Sequence, residues 1–367
     1  MRRSPRWIIT ALVSVLAAVA VTACGNSVSG SGGSSSGSGG GKSASGSKIA
    51  FLMPDEASTR YELYDHPLFV KQIQQVCASC QVLYQNANGS ASTQQNEMQS
   101  VISQGAKVIV LDPVDATALA SSVQQAISRG IKVVSYDRPF PKLHTSFYVS
   151  FNNERIGTLI STSLVNYLKA TGATSKGGIL IVNGSPTDAA AGLIKKGIHE
   201  GVDPSGIKVL AEYDTPMWTP SLAQNWVSGQ VSRFHSKIIG VVAANDGTGD
   251  AAIAALKAAG VTPVPPVTGN DAVTAAAQLI VAGDQYNTIN KPIHIVATAA
   301  AKAAYDLLQG KTPTPNATVF GTPSDIFTPF VVTQKNIKQQ LIDSGLQKVS
   351  AVCTPTYQAA CAKLGIK

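Results

Sequence analysis

The segment from residue 48 to residue 136 decides the fold, because short apolar runs alternate there with helical stretches. The runs are rich in β-branched residues: KIAFLM at Lys48–Met53, QVLYQN at Gln81–Asn86, KVIVL at Lys107–Leu111 and KVVSY at Lys132–Tyr136. The helical stretches lie at about Pro67–Val76, Ser92–Gln104 and Ala116–Arg129. This alternation predicts βαβ units around a parallel sheet that is buried on both faces.

The same alternation repeats in the second half of the chain. Further strands are predicted at Gly178–Val182, Lys208–Tyr213, Ile238–Ala243 and Thr288–Asn290. Helices are predicted near Asn153–Lys169, Ala189–Gly201, Ser221–Arg233, Gly249–Ala259 and Ala272–Ala282. We therefore predict an α/β fold with two doubly wound, Rossmann-like domains. Ligands bind beyond the carboxyl ends of the strands in such sheets, so two facing halves predict a cleft between the domains.

Composition restricts the class of protein. The 367 residues suggest two domains, and the hydrophobic fraction of 44% excludes a wholly disordered chain. Five cysteines are too few for a small disulfide-dense scaffold. The net charge is +8, but Arg2, Arg3 and Arg6 supply three of these charges within the first seven residues. The remaining surplus is spread along the chain, so we predict no nucleic-acid partner.

The N-terminus has the pattern of an export signal followed by a lipid anchor. After the basic start, the apolar run from Trp7 to Val21 is shorter than a membrane span and typical of a signal peptide. It ends in VTACG at residues 21–25, which resembles the bacterial lipobox and implies lipidation of Cys24. An ordinary signal peptide with a chance cysteine is the alternative. We predict a lipoprotein signal peptide at residues 1–23 and a flexible Gly/Ser linker at residues 24–47.

Polar and aromatic side chains follow most of the predicted strands. A single such residue is more often a helix N-cap or a turn former, and Asp188 and Asp246 stand where N-caps are expected. Their recurrence at one edge of both sheets indicates a binding cleft. The mixture suits a sugar, because aromatic planes cover its C–H faces while charged groups and amides bond its hydroxyls. The predicted ligand-binding residues are Arg60, Tyr61, Asp137, Arg138, Asp188, Trp218, Asn245, Asp271 and Lys291.

From Lys48 to about Ser344 the sequence resembles the type I periplasmic binding proteins. Within them it is similar to the D-xylose-binding branch of the substrate-binding lipoproteins of ABC sugar transporters. The motifs that carry the resemblance are Tyr136-Asp137-Arg138, Ser150-Phe151-Asn152-Asn153-Glu154, Gly184-Ser185-Pro186-Thr187-Asp188, Ala244-Asn245-Asp246, Gly269-Asn270-Asp271 and Lys291-Pro292.

The resemblance implies roles for individual positions. The sugar-contacting positions of that branch match Arg60, Arg138, Asp188, Trp218, Asn245, Asp271 and Lys291, and Tyr61 stands where the branch has an aromatic residue beside the sugar ring. The chain departs at Ala190, where the branch usually has a sugar-contacting Asn. The pocket is therefore suited to D-xylose or to a different pentose, a deoxy or substituted sugar, or a larger ligand.

The resemblance also implies the domain boundaries. Three chain crossings are expected at a hinge, near Ser150, near Ile293 and near Asp325. One lobe would then contain residues 48–150 plus 294–325. The other would contain residues 151–293 plus 326–367, with the segment after about Gln334 packed on it.

The function that the resemblance implies is that of a lipid-anchored sugar receptor. It would lie on the outer face of the cytoplasmic membrane, held there by the lipid alone, and hand a monosaccharide to an ABC permease with its ATPase by hinge closure. A sensory receptor of the same fold is the alternative. A sugar-responsive repressor of this fold is disfavoured, because the signal and the linker stand where its DNA-binding segment would lie. A hydrolase is disfavoured because the sequence contains no hydrolase motif. We expect a monomer, no enzymatic activity, no cofactor and no metal.

Four cysteines remain after Cys24. An exported protein retains disulfides, and three pairings of four cysteines are possible. A zinc ribbon is excluded by the eight-residue spacing of the second pair. Because each pair flanks a local turn, we predict Cys77–Cys80 and Cys353–Cys361.

Overall fold

The computed structural model describes residues 46–367, so the predicted signal peptide, Cys24 and nearly all of the linker lie outside the described residues. The strands within this range are β1 (Lys48–Met53), β2 (Gln81–Asn86), β3 (Val108–Leu111), β4 (Lys132–Tyr136), β5 (Phe147–Phe151), β6 (Gly178–Asn183), β7 (Val209–Asp214), β8 (Ile238–Ala243), β9 (Thr288–Asn290), β10 (Ala317–Val319), β11 (Thr322–Phe327) and β12 (Phe330–Val332).

Helices connect most of these strands. They are α1 (His66–Val76), α2 (Ala91–Ser103), α3 (Ala116–Ser128), α4 (Asn153–Ala170), α5 (Ala189–Val202), α6 (Pro220–Phe234), α7 (Asp246–Ala258), α8 (Thr274–Ala282), α9 (Ile293–Leu308), α10 (Val349–Val352) and α11 (Gln358–Lys363). Wider helical turns lie at Tyr61–Asp65, directly before α1, and at Lys338–Asp343. None of the helices within residues 46–367 combines the length and the apolar character needed to cross a membrane.

The first sheet has the strand order β10-β11-β5-β4-β3-β1-β2, and only the pairing of β10 with β11 is antiparallel. All four residues of β3 are buried, as a central strand with helices on both faces requires. Side chains of α2 and α3 pack on one face around Leu52 and Ile109. Side chains of α1 and α9 pack on the other face around Phe51 and Val110. Successive residues of these strands therefore face opposite helical layers, and both layers bury them. This confirms the doubly wound arrangement predicted from the sequence.

The second sheet contains the parallel strands β7-β6-β8 and the antiparallel pair β9-β12. Val267 joins the two parts, because it forms a parallel bridge with Val241 of β8 and accepts a hydrogen bond from the N–H of Tyr286 just before β9. The chain therefore has the two-domain α/β architecture expected from the repeated strand and helix pattern. Strands β5, β10, β11 and β12 and helix α9 were not among the predicted elements.

Helices α4 and α5 touch backbone to backbone. A Cβ on Gly157 would lie 2.0 Å from the carbonyl oxygen of Ile194, and one on Gly197 would lie 2.0 Å from that of Glu154. No side chain larger than hydrogen fits at either position without moving a helix. The two glycines thus fix the position of α5 relative to α4.

Two disulfides close short loops. Cys77 follows the last residue of α1 and is joined to Cys80, with 5.3 Å between their Cα atoms. Cys353 and Cys361 join the end of α10 to α11, with 5.9 Å between Cα atoms. Cys361 is buried with Ile280 of α8, so the second disulfide belongs to the small core that holds the C-terminal segment.

Candidate functional site

A small pocket lies where the carboxyl ends of the strands of both sheets meet. All nine residues predicted to bind ligand line it, together with five others. The lining residues are Ser58, Arg60, Tyr61, Asp137, Arg138, Asn153, Asp188, Ala190, Ile194, Trp218, Asn245, Asn270, Asp271 and Lys291.

The loop after β1 presents Arg60 and Tyr61 to the pocket. Asp55 shapes this loop, because its Oδ1 accepts the backbone N–H of Ser58 at 2.9 Å. The Nη2 atom of Arg60 then lies 2.9 Å from Oδ2 of Asp137, while the Tyr61 hydroxyl donates to the same oxygen at 3.1 Å. The Arg60 guanidinium also lies 4.8 Å from the centre of the Tyr61 ring. Arg60 is therefore held as a fixed cation at the wall of the pocket.

Asp137 has an unusual backbone that its neighbours hold in place. Its φ of 57° is in the left-handed region, which costs free energy for a residue other than glycine. Its carbonyl oxygen accepts the hydroxyls of Tyr148 and Ser150, both at 2.8 Å. Burial raises the pKa of the carboxyl, but the positive charges of Arg60, Lys291 and Arg138 outweigh burial and lower the pKa to about 2. Asp137 is thus a permanent hydrogen-bond acceptor.

Arg138 connects carboxylates from several strand ends. Its Nη2 lies 2.7 Å from Oδ2 of Asp55, and its Nε lies 3.0 Å from Oδ2 of Asp188. Asp112, directly after β3, lies 3.4 Å from the same Nε. Burial raises the pKa of Asp112 well above its ordinary value, against the attraction of Arg138. Arg138 is therefore held by two carboxylates that follow strands of the first sheet and by the carboxylate at the start of α5.

Asp188 is the N-cap of α5, as its position in the sequence predicted. Its Oδ1 accepts the N–H groups of Ala190 at 2.7 Å and Ala191 at 3.3 Å. Its Oδ2 accepts the indole N–H of Trp218 at 2.9 Å, in addition to the Arg138 contact. These contacts occupy the acceptor positions of the carboxylate. The Asp188 side chain therefore holds Trp218 and Arg138 in position.

The Trp218 side chain lies against the backbone of Gly184. A Cβ on Gly184 would lie 2.1 Å from Cζ2 of the indole, so a larger residue would displace the ring. Met217 and Trp218 both have positive φ values, 52° and 57°. Two strained residues in succession place an aromatic plane at the pocket wall, a kind of strain that is typical of binding sites.

The second sheet contributes an amide and an ion pair. The Oδ1 of Asn245 accepts the N–H of Thr248 at 2.9 Å and caps α7, which leaves the Nδ2 group for a ligand. The cap is thus Asn245, and the expectation that Asp246 fills this role is wrong because Asp246 is already the first helical residue. Lys291 Nζ lies 2.8 Å from Oδ1 of Asp271, whose φ is 106°.

Four buried polar atoms of the pocket have no hydrogen-bond partner: Nη1 and Nη2 of Arg60, Oδ1 of Asn270 and Oδ1 of Asp271. Nη2 of Arg60 and Oδ1 of Asp271 are in ion pairs, whereas Nη1 of Arg60, a donor, and Oδ1 of Asn270, an acceptor, are not. An unpartnered buried polar atom costs free energy, and a ligand that carries both donors and acceptors removes that cost. The pocket is therefore complementary to a hydroxyl-rich molecule.

Sequence reasoning did not include Ser58, Asn153, Ala190, Ile194 and Asn270 in the ligand-binding set. Asn270 is adjacent to the selected Asp271 in the Gly269-Asn270-Asp271 motif, so the signal that identified Asp271 also identifies Asn270. Ala190 and Ile194 face the pocket one turn apart on α5, and nothing in their chemistry indicates a site. Within residues 46–367, no cluster of three or more His, Cys, Asp or Glu side chains is arranged to hold a metal ion.

Comparison with known proteins identifies the family. The periplasmic binding protein domain matches residues 49–312. The D-xylose-binding periplasmic protein of Escherichia coli (strain K12) is 33% identical over 311 residues, which cover 83% of this chain and 92% of that protein. The chain belongs to the type I periplasmic binding proteins.

Solved structures of other periplasmic binding proteins have the same fold. An ABC transporter solute binding protein from Clostridium phytofermentans with bound β-D-glucose superposes with a TM-score of 0.75 and 26% identity, over 83% of this chain and 99% of that one. A carbohydrate transporter solute binding protein from Chloroflexus aurantiacus in complex with D-glucose has a TM-score of 0.74 and 25% identity, over 83% and 97%. The three relatives named here are sugar-binding proteins, two of them named as transporter solute binding proteins, and none is named as an enzyme.

Proposed function

We propose that this chain binds a monosaccharide, D-xylose or a related sugar, and delivers it to an ABC permease. The observation that carries the proposal is the pairing of the Trp218 plane with buried polar atoms that lack a partner, Arg60 Nη1 and Asn270 Oδ1. A sugar ring offers C–H faces to the indole and hydroxyls to the polar atoms. The relatives named for sugars support the proposal.

The wall of the pocket supports a single sugar ring with an apolar corner. It includes the methyl group of Ala190 and the side chain of Ile194. Ala190 stands where the resemblance implies a sugar-contacting Asn in the D-xylose-binding branch. We therefore propose a pentose or a sugar with an apolar group at this corner.

Binding by hinge closure is supported by contacts between the two sets of strand ends. The proposed lobes are residues 48–150 plus 294–325 and residues 151–293 plus 326–367. Arg138 contacts Asp188 across them at 3.0 Å, and the hydroxyls of Tyr64 and Thr274 are 3.3 Å apart. A sugar held from both sides would favour this closed arrangement, which a permease then recognises.

The cellular setting follows from the N-terminal sequence and from the relatives. We propose that residues 1–23 are removed, that lipid on Cys24 holds the protein at the outer face of the cytoplasmic membrane, and that residues 24–47 separate the monomer from the membrane. The partners would be a permease and its ATPase. Replacement Cys24→Ser should move the protein from the membrane fraction to the soluble fraction, and a variant still in the membrane would exclude the lipid anchor.

A calorimetric titration series tests the function. The soluble protein from residue 46 onward is titrated with D-xylose, L-arabinose, D-ribose and D-glucose, and with a nucleoside and a dipeptide for comparison. We expect one of the sugars to bind with a Kd between nanomolar and micromolar. Binding of the nucleoside or the dipeptide with no response to any sugar would overturn the proposal.

A further inference from the structure

We propose that a groove beside the pocket binds the substituent of a glycoside whose sugar ring fills the pocket. The groove is lined by the loop Ala57–Thr59, by Gln224 of α6, by Asp250 and Ala254 of α7, and by Ala275 of α8. This inference rests on the proposed function, because it extends the same site from free sugars to their glycosides.

The groove adjoins the pocket. Ser58, Arg60, Asn245 and Asp271 line both spaces, so their side chains form the wall between them. Ser58 is the smallest of the four and is only half-buried, whereas Arg60 and Asn245 are buried. The position of Ser58 is therefore the place where we propose that the substituent passes from the sugar ring into the groove.

The groove has room for an aromatic ring, and apolar side chains form part of its lining. Its free volume is about 380 Å³, against about 30 Å³ for the pocket. Ala251, Ala254 and Ala275 line it with methyl groups, and Val273 and Pro220 add further apolar surface. No aromatic side chain is among its described lining residues, whereas the pocket has Tyr61 and Trp218 for a sugar ring. The lining therefore favours an alkyl or aryl aglycone over a second sugar.

Asp250 gives the groove a polar atom that lacks a partner and does not belong to the pocket. Its Oδ1 is buried without a hydrogen-bond partner, as are atoms of Arg60 and Asp271, which line both spaces. Burial also raises the pKa of the Asp250 carboxyl to about 6, as expected for a group away from water and from cations. An aglycone hydroxyl directed to Asp250 satisfies this oxygen, so the fitting ligand is an aryl glycoside with a hydroxyl on the aromatic ring.

The test uses whichever of D-xylose, L-arabinose, D-ribose and D-glucose binds. Its phenyl and 4-hydroxyphenyl glycosides, in both anomers, are titrated by calorimetry into the wild type and into Ala254→Trp, which fills the groove from an exposed position. Ala258→Trp is the matched control, because Ala258 is exposed on the same helix and does not line the groove. Asp250→Ala tests the hydroxyl contact.

We expect one 4-hydroxyphenyl anomer to bind at least as tightly as the free sugar. Ala254→Trp should weaken that glycoside at least tenfold and change the Kd of the free sugar less than twofold, while Ala258→Trp changes neither. Asp250→Ala should weaken the 4-hydroxyphenyl glycoside and leave the phenyl glycoside unchanged. If the free sugar binds and none of the glycosides does, or if Ala254→Trp has no effect on the glycoside, the groove is not a subsite and the proposed function stands. If no sugar binds, the proposed function itself fails.

Discussion

The Nε atom of Arg138 lies 3.0 Å from Oδ2 of Asp188, and both side chains are almost completely buried. The contact joins the second residue after Tyr136, the end of β4, to the N-cap of α5. The same Asp188 oxygen accepts the indole N–H of Trp218. One carboxylate thus fixes the aromatic plane and a cation of the pocket, and these two groups cannot be placed independently.

Replacement Asp188→Asn should weaken both folding and sugar binding. An amide retains an oxygen for the α5 cap but places N–H donors opposite Arg138 and Trp218, which are donors themselves. Breaking a buried ion pair commonly costs about 3–5 kcal/mol, so we expect a loss of about 3 kcal/mol in the free energy of unfolding. Chemical denaturation and calorimetry measure the two effects.

Asp203→Asn is the matched control for this variant. Asp203 lies at the other end of α5 and is exposed, and it pairs with His199 at 3.1 Å. Surface pairs contribute about 0–1 kcal/mol, so folding and sugar affinity should change little. Equal effects of the two variants would contradict the role assigned to Asp188.

Trp218→Ala should reduce sugar affinity at least about tenfold, or about 1.4 kcal/mol, because the stacking plane is lost. Trp226→Ala is the control, since Trp226 stacks on Tyr213 with ring centres 5.3 Å apart and does not line the pocket. We expect Trp226→Ala to lower the melting temperature and leave the Kd unchanged. Unchanged binding in Trp218→Ala would remove this residue from the site.

Gly184→Ala should disturb the pocket through a single methyl group. The added Cβ would lie 2.1 Å from Cζ2 of Trp218, so the indole must move and sugar affinity should fall at least about tenfold. Gly192→Ala adds the same group to α5 with no atom within 4 Å. That control should stabilise the protein by about 0.5–1 kcal/mol and leave binding unchanged. Normal sugar affinity in Gly184→Ala would show that the indole position does not govern binding.

Asp65 should make stability depend on pH between about 4 and 6. Burial raises the pKa of its carboxyl to about 6, against the attraction of Arg60, whereas an unfolded Asp titrates near about 3.9. The folded state then binds more protons than the unfolded state in this window, so stability falls as pH rises through it. The difference amounts to about 2–3 kcal/mol at pH 7.

Asp65→Asn isolates this contribution, because it cannot ionise and still offers an oxygen to the Tyr136 hydroxyl. Urea denaturation at pH 4, 5, 6 and 7 should show the wild type losing stability relative to the variant as pH rises to 6. Asp137, whose pKa is lowered to about 2, acts in the opposite direction and below pH 4. If the stability of the wild type minus that of the variant stays constant or increases as pH rises from 4 to 6, the raised pKa of Asp65 is wrong.

The positions of the pocket residues could be predicted because strand ends are readable in a sequence. KIAFLM and KVVSY have the apolar, β-branched composition of buried strands, and the carboxyl ends of parallel strands meet at one edge. The cap role of Asp188 could also be predicted, because it depends on local sequence. The contacts of Asp188 with Trp218 and of Asp112 with Arg138 could not, because they depend on distances between elements that are far apart in the chain.

The missed elements also have physical reasons. Helix α9 contains the run ATAAAKAA, in which nearly every residue is small, so an apolar face does not stand out against a polar one. Strands β10 and β12 have only three residues each, and β11 contains Pro323 and Asp325, residue types that are rare in strands. Their pairing with β5 and β9 is decided by contacts across long sequence separations, which local patterns do not contain.

The contact of Gly157 with Ile194 and of Gly197 with Glu154 has a mechanical consequence. Helices that meet through backbone atoms have no side-chain layer that can deform between them, so we expect α4 and α5 to move as one rigid unit. Asn153 at the start of α4 and Ala190 near the start of α5 both line the pocket. If the proposed lobes rotate at the expected chain crossing near Ser150, before α4, the rotation would therefore reach the pocket wall at Asn153 and Ala190 without deformation between the two helices.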